Sequence, residues 1–111
     1  MPAPTLIDNL EKMLAAGRDG ALLRFGLGNA YAQAGDAAPA IVHLRRAVEL
    51  DPGYSAAWKL LGKTLAAEGD RAGALTAYEG GVAAAQQKGD KQALREMQVF
   101  MRRLAKPEPP A

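Results

Sequence analysis

An all-α fold is what this sequence predicts, and three observations predict it. Apolar residues make up 49% of the chain, yet it has only one Trp, three Tyr and two Phe. Alanine supplies much of the remainder, a composition that favours closely packed helices over strands. The phrase AQAGDAAPAI at residues 32–41 returns as AAEGDRAGAL at residues 66–75, and a fixed period of this length marks a structural repeat. On both sides of each Gly-Asp pair, small and apolar residues recur at helical spacing, as in Leu27, Gly28 and Tyr31 before it and Ala40, Ile41, Leu44, Ala47 and Val48 after it. Each unit is therefore expected to be a helical hairpin.

The elements follow in order. Thr5-Leu6-Ile7-Asp8 reads as an N-cap with an acidic residue in the first turn, opening a helix over 5–17 whose Leu6, Leu10, Met13 and Leu14 face the first repeat. Ala16-Gly17 closes it. Unit one spans 21–54 and unit two 55–88. In each, Gly supplies the left-handed conformation that ends the first helix, and Asp36 or Asp70 caps the amides of the second. Pro39 falls in the first turn after Asp36, where an amide has no intrahelical partner to lose. Asp51-Pro52 ends the second helix of unit one, because the residue before a proline disfavours helical geometry. Gly89-Asp90 starts a last helix over 90–105 with Leu94, Met97, Met101 and Leu104 on one stripe and Lys91, Arg95, Arg102 and Arg103 off it. The tail 106–111, KPEPPA, is expected to be extended or disordered.

The length of 111 residues fits one domain over 1–105, burying roughly two thirds of its unfolded surface. Without cysteine there are no disulfides or thiolate metal sites, which fits a reducing compartment. The amino terminus lacks a basic start followed by an apolar core, and no long apolar run follows. A soluble cytoplasmic protein without membrane association is expected. A formal net charge of +2 is too small by itself to argue for nucleic acid.

The repeated residues resemble the tetratricopeptide repeat (TPR). Unit two carries Trp58, Leu61-Gly62, Leu65, Ala74, Tyr78 and Gly81; unit one carries Leu27-Gly28, Tyr31, Ala40, Leu44, Ala47 and Pro52. Three positions depart from the pattern: Arg24 stands where a bulky residue belongs, Gly81 replaces an Ala, and Gln86 replaces the closing Pro. The last change lets that helix run on to about Lys88. The resemblance implies a right-handed α-α superhelix of about six helices, two hairpins between an N-terminal cap helix and a C-terminal capping helix, since two repeats leave both end faces open. It also implies a concave groove lined by the first helix of each unit, holding an extended peptide or a partner helix. The matching positions are Leu22, Phe25, Gly26, Asn29, Ala32 and Gln33 in unit one and Ala56, Lys59, Leu60, Lys63, Ala66 and Ala67 in unit two. A strict 34-residue count would put Arg95 and Glu96 at packing positions of the last helix. A two-residue slip instead buries Leu94, Met97 and Met101 and turns Arg95, Val99, Arg102 and Arg103 toward the groove. Asn29, Gln33, Lys59, Lys63, Arg95 and Arg102 are then expected to receive an acidic or C-terminal segment. The family's terminal-carboxylate clamp itself is not matched, because Phe25 and Leu60 replace a Lys and an Asn.

Other chemistry finds little support. FGLGNAY lacks the third glycine and the preceding strand of a dinucleotide site, and LLGKTL lacks the first glycine of a phosphate loop. His43 is the only histidine, with no metal-ligand set around it, and reads as a surface or half-buried helix residue. Ser55, the sole serine, most simply opens a helix. Gly80-Gly81 inside a helix implies tight packing against a neighbour rather than a hinge. No enzyme activity and no cofactor are expected. The leading expectation is a protein-binding adaptor, monomeric or weakly dimeric. The rival is a self-assembling unit that pairs through Val99 and Phe100 of the last helix. Nucleic-acid binding by that basic helix is disfavoured by the scarcity of stacking aromatics.

Overall fold

The Gly-Asp pairs set the architecture. In the computed structural model, which describes residues 5–106, Gly35, Gly69 and Gly89 take φ values of +79°, +82° and +68°. This is a conformation open to glycine at little cost. The amides of Asp36, Asp70 and Asp90 then donate back to the carbonyls of Tyr31, Leu65 and Ala85 at 2.9, 3.0 and 2.9 Å, so three helices end in the same hydrogen-bonded turn. The elements are α1 (Leu6–Ala15), α2 (Ala21–Gln33), α3 (Ala37–Leu50), α4 (Ser55–Ala67), α5 (Arg71–Lys88) and α6 (Lys91–Ala105), with no strand among the described residues. None of these helices is long and apolar enough to cross a membrane.

The caps match the sequence reading with one correction. Thr5 and Asp8 form a reciprocal capping box, and the Asp70 and Asp90 carboxylates accept from the amides of Gly73 and Ala93 at 2.8 and 3.0 Å. Asp36 makes no such bond. The residue three positions on is Pro39, which has no N–H to donate. The α5 helix runs to Lys88, as the missing proline predicted.

Packing repeats with the sequence. A Cβ on Gly28 would lie 2.5 Å from Leu44 Cγ, and one on Gly62 would strike the Tyr78 ring, so in both units a glycine lets the two helices of the hairpin close on each other. Gly80 meets the Trp58 indole and Gly81 meets Met97 and Trp58 in the same way, which explains the glycine pair by close packing. Leu27, Leu44 and Met97 are fully buried, each contributing about 1.5–3 kcal/mol by leaving water. The buried Met97, flanked by half-buried Leu94 and Met101, fits the slipped register of the last helix.

The array is curved. Helices α2, α4 and α6 form one layer in which α2 touches α4 and α4 touches α6, whereas α3 and α5 in the other layer do not meet. Neighbours on the inside of a bend approach more closely than those outside it, so α2, α4 and α6 line the concave side. The shortest dimension is 19 Å, about two helix diameters.

At the N-terminal end α1 lies against α2. Ile7, Leu10, Glu11 and Leu14 are half-buried, while Leu6 and Met13, expected to face the first repeat, are 64% and 40% exposed. The helix is turned by Glu11, which accepts from Tyr31 Oη at 2.9 Å and lies 3.4 Å from His43 Nε2. Leu6 and Met13 are left on a side that no helix covers among the described residues. Residues 1–4 and 107–111, including most of the tail, lie outside the described residues.

Candidate functional site

The concave surface is built around α4. Its Lys59 and Lys63, one turn apart, reach toward α6: Lys59 Nζ donates to Glu96 Oε2 at 2.9 Å, and Lys63 Nζ stands 5.8 Å from the centroid of the Phe100 ring. Lys59 to Glu96 and Lys63 to Phe100 span the same interval in sequence, as expected of parallel helices in register. Hydrogen bonding from Lys59 holds the Glu96 carboxyl below its usual range. Arg103 places its guanidinium carbon 5.7 Å from the same Phe100 centroid, and the ring stacks on the buried Tyr78 at 5.4 Å.

A larger recess of about 380 Å³ lies on the other side of α4, between α3 and α5, and two recesses flank α4 on this face. One, of about 190 Å³, lies toward α6 and is lined by Ser55, Ala56, Lys59, Glu96 and Met97 among others. The second, of about 270 Å³, lies toward α2, with Ala32, Gly35, Ala37 and Ala67 as small walls and Lys63 and Glu68 as its charges. The first helices of the two units therefore bring Ala32, Ala56, Lys59, Lys63 and Ala67 to these recesses. Leu60 and Phe25 are half-buried against the core, with the Phe25 ring 5.0 Å from Tyr54. Asn29 is half-buried, and Gln33 and Leu22 are exposed.

Arg95 and Arg102 line neither of these recesses. At about 100° per residue they lie roughly 120–140° around α6 from the Glu96–Phe100 edge, and both are exposed. The slip predicted which residues α6 buries, and the side chains of α6 that meet α4 beside the buried Met97 are Glu96 and Phe100, not Arg95 and Val99. Phe100, expected to be available for self-pairing, is half-buried on Tyr78.

A polar cluster at the N-terminal end was also not foreseen. Arg24, at the unmatched position of unit one, donates to both Asp19 oxygens at 2.8 and 3.0 Å and to His43 Nδ1 at 3.1 Å. With Nδ1 accepting, the ring proton sits on Nε2, facing Glu11. His43 is buried, not half-exposed as expected, and stacks on Tyr31 at 5.7 Å. Burial lowers its pKa, with the nearby Glu11 charge opposing. The only visible signal was Arg24 replacing a bulky residue. Among the described residues no group of three acidic or imidazole side chains could hold a metal ion.

The comparisons agree with this architecture. A family model described as tetratricopeptide repeat matches residues 32–97. The chain is similar to the TPR repeat-containing protein PA0015 of Pseudomonas aeruginosa, at 62% identity over 99 residues that span 89% of this chain and 94% of that one. It is also similar to the solution structure of protein BPP2914 from Bordetella parapertussis, with a TM-score of 0.77 and 55% identity over 95% of this chain and 90% of the other. The Sgt2 TPR domain of Aspergillus fumigatus aligns with a TM-score of 0.71 and 28% identity, over 95% of this chain and 72% of that one. With its paired Gly-Asp turns, its curved double layer and these relatives, the chain belongs to the tetratricopeptide repeat family.

Proposed function

We propose that the protein is a non-enzymatic interaction module that holds a segment of another protein along the α2–α4–α6 face. The fold supports protein–protein interaction in general; the location and chemistry are our reading. One observation carries it: both recesses of that face flank α4, and each combines small side chains with a lysine. Small walls admit the side chains of an extended chain, and Lys63, unlike the Glu96-paired Lys59, favours an acidic one. The outward side of α6, with Lys91, Arg95, Gln98 and Arg102 exposed, disfavours pairing of that helix with a second copy, which supports a monomeric adaptor.

A peptide-library selection followed by NMR titration tests the reading. Recovered peptides are expected to shift amides of α2, α4 and α6, and light scattering is expected to report a monomer. Shifts confined to α3 and α5 would refute the groove.

A further inference from the structure

The two lysines of α4 are not equivalent. Lys59 is neutralised by Glu96 at 2.9 Å. Lys63 and Arg103 converge on one aromatic ring at 5.8 and 5.7 Å, and among the described residues neither has a carboxylate at ion-pair distance. Glu68 lines the Lys63 recess but does not reach that lysine. Two like charges beside one ring repel each other, and the ring quadrupole offsets only part of that. A carboxylate arriving between them removes the repulsion and takes charge-assisted hydrogen bonds from both. The small walls of Ala32, Ala37 and Ala67 beside Lys63 leave room for a compact apolar neighbour of the acidic group.

We infer that Lys63 and Arg103, arrayed around Phe100, are the anion-reading pair of the groove, taking a carboxylate of the bound segment, while Lys59 is a structural tie to α6. This rests on the groove reading above and names its charge determinant. The carboxylate has two sources, an acidic side chain or the end of a chain, and the chemistry is shared.

Three synthetic peptides serve as probes: hexaglutamate blocked at both ends, hexaglutamine blocked at both ends, and hexaglutamine with a free carboxyl terminus. Blocked hexaglutamate, the free-ended hexaglutamine, or both are expected to shift the amides around Lys63, Phe100 and Arg103, with the blocked hexaglutamine silent. Which of the two binds identifies the source. Lys63→Gln and Arg103→Gln, both at exposed positions, are each expected to weaken binding about tenfold. Phe100→Leu keeps an apolar contact to Tyr78 and is expected to weaken it less. Lys59→Gln, Arg95→Gln and Arg102→Gln, which remove equal charge elsewhere, are expected to change it less than about twofold. Equal losses from all five charge removals, or no binding by either acidic probe, overturn the inference. A library peptide that maps to the groove yet ignores Lys63 and Arg103 also overturns it and leaves the groove reading standing; one that maps to α3 and α5 removes both.

Discussion

At the scale of single residues, the buried His43 makes stability depend on pH. Burial lowers its folded pKa below the usual value of 6.5, so between the two values the unfolded chain binds more protons than the folded one. The stabilisation is complete above the unfolded pKa and is lost as pH falls through the window below about 6.5. Denaturant midpoints are expected to drop between pH 7 and pH 5, and His43→Gln is expected to flatten that slope. Glycines give a second test. A Cβ at Gly80 would come within 2.6–2.8 Å of the Trp58 ring, which is held by its Nε1 bond to the Pro52 carbonyl at 2.8 Å and yields poorly. Gly80→Ala is expected to destabilise by about 1–3 kcal/mol from overpacking, outweighing a gain of about 1 kcal/mol in helix propensity, as read by chemical unfolding. Such glycines were legible in the sequence because the repeat shows each one twice, at Gly28 and Gly62, or as an unexplained pair. The burial of His43 was not, because it depends on how α1 is rotated.

Among the elements, α1 and α6 contrast. The α1 helix has no fully buried residue; its backbone packs on α2, and its Glu11 reaches His43 of α3. It is fixed by its capping box and by Glu11. Thr5→Ala is expected to cost about 1 kcal/mol of local stability, and Glu11→Ala to release Tyr31 and His43 together. Both variants are expected to speed amide exchange in α1 while leaving α4 and α5 protected. The α6 helix buries Met97 completely and is tied by Lys59 and Phe100. Helix boundaries were readable because turns are local: the Gly-Asp pairs, Pro52 and the missing proline at Gln86 place the ends of α2, α3, α4 and α5 and the start of α6. Facing was harder. The sequence carried the stride Lys59–Lys63 and Glu96–Phe100, but using it required knowing that α4 and α6 run parallel, and Leu6 and Met13 looked inward only because apolar residues usually are.

For the molecule as a whole, helices whose backbones pack together are neighbours along the chain or first helices of adjacent units. Contacts so local in sequence favour rapid folding. Stopped-flow refolding is expected to finish within milliseconds, apart from a slow proline-limited phase that short unfolding pulses remove. The same connectivity has a mechanical side. Force applied between α1 and α6 must pass through each junction in turn, with no strap from first to last among the described residues to share it. The open seam between α3 and α5 gives the bend a direction in which to flatten, so a gentle pull would straighten the coil before any helix melts, opening its concave side as it does.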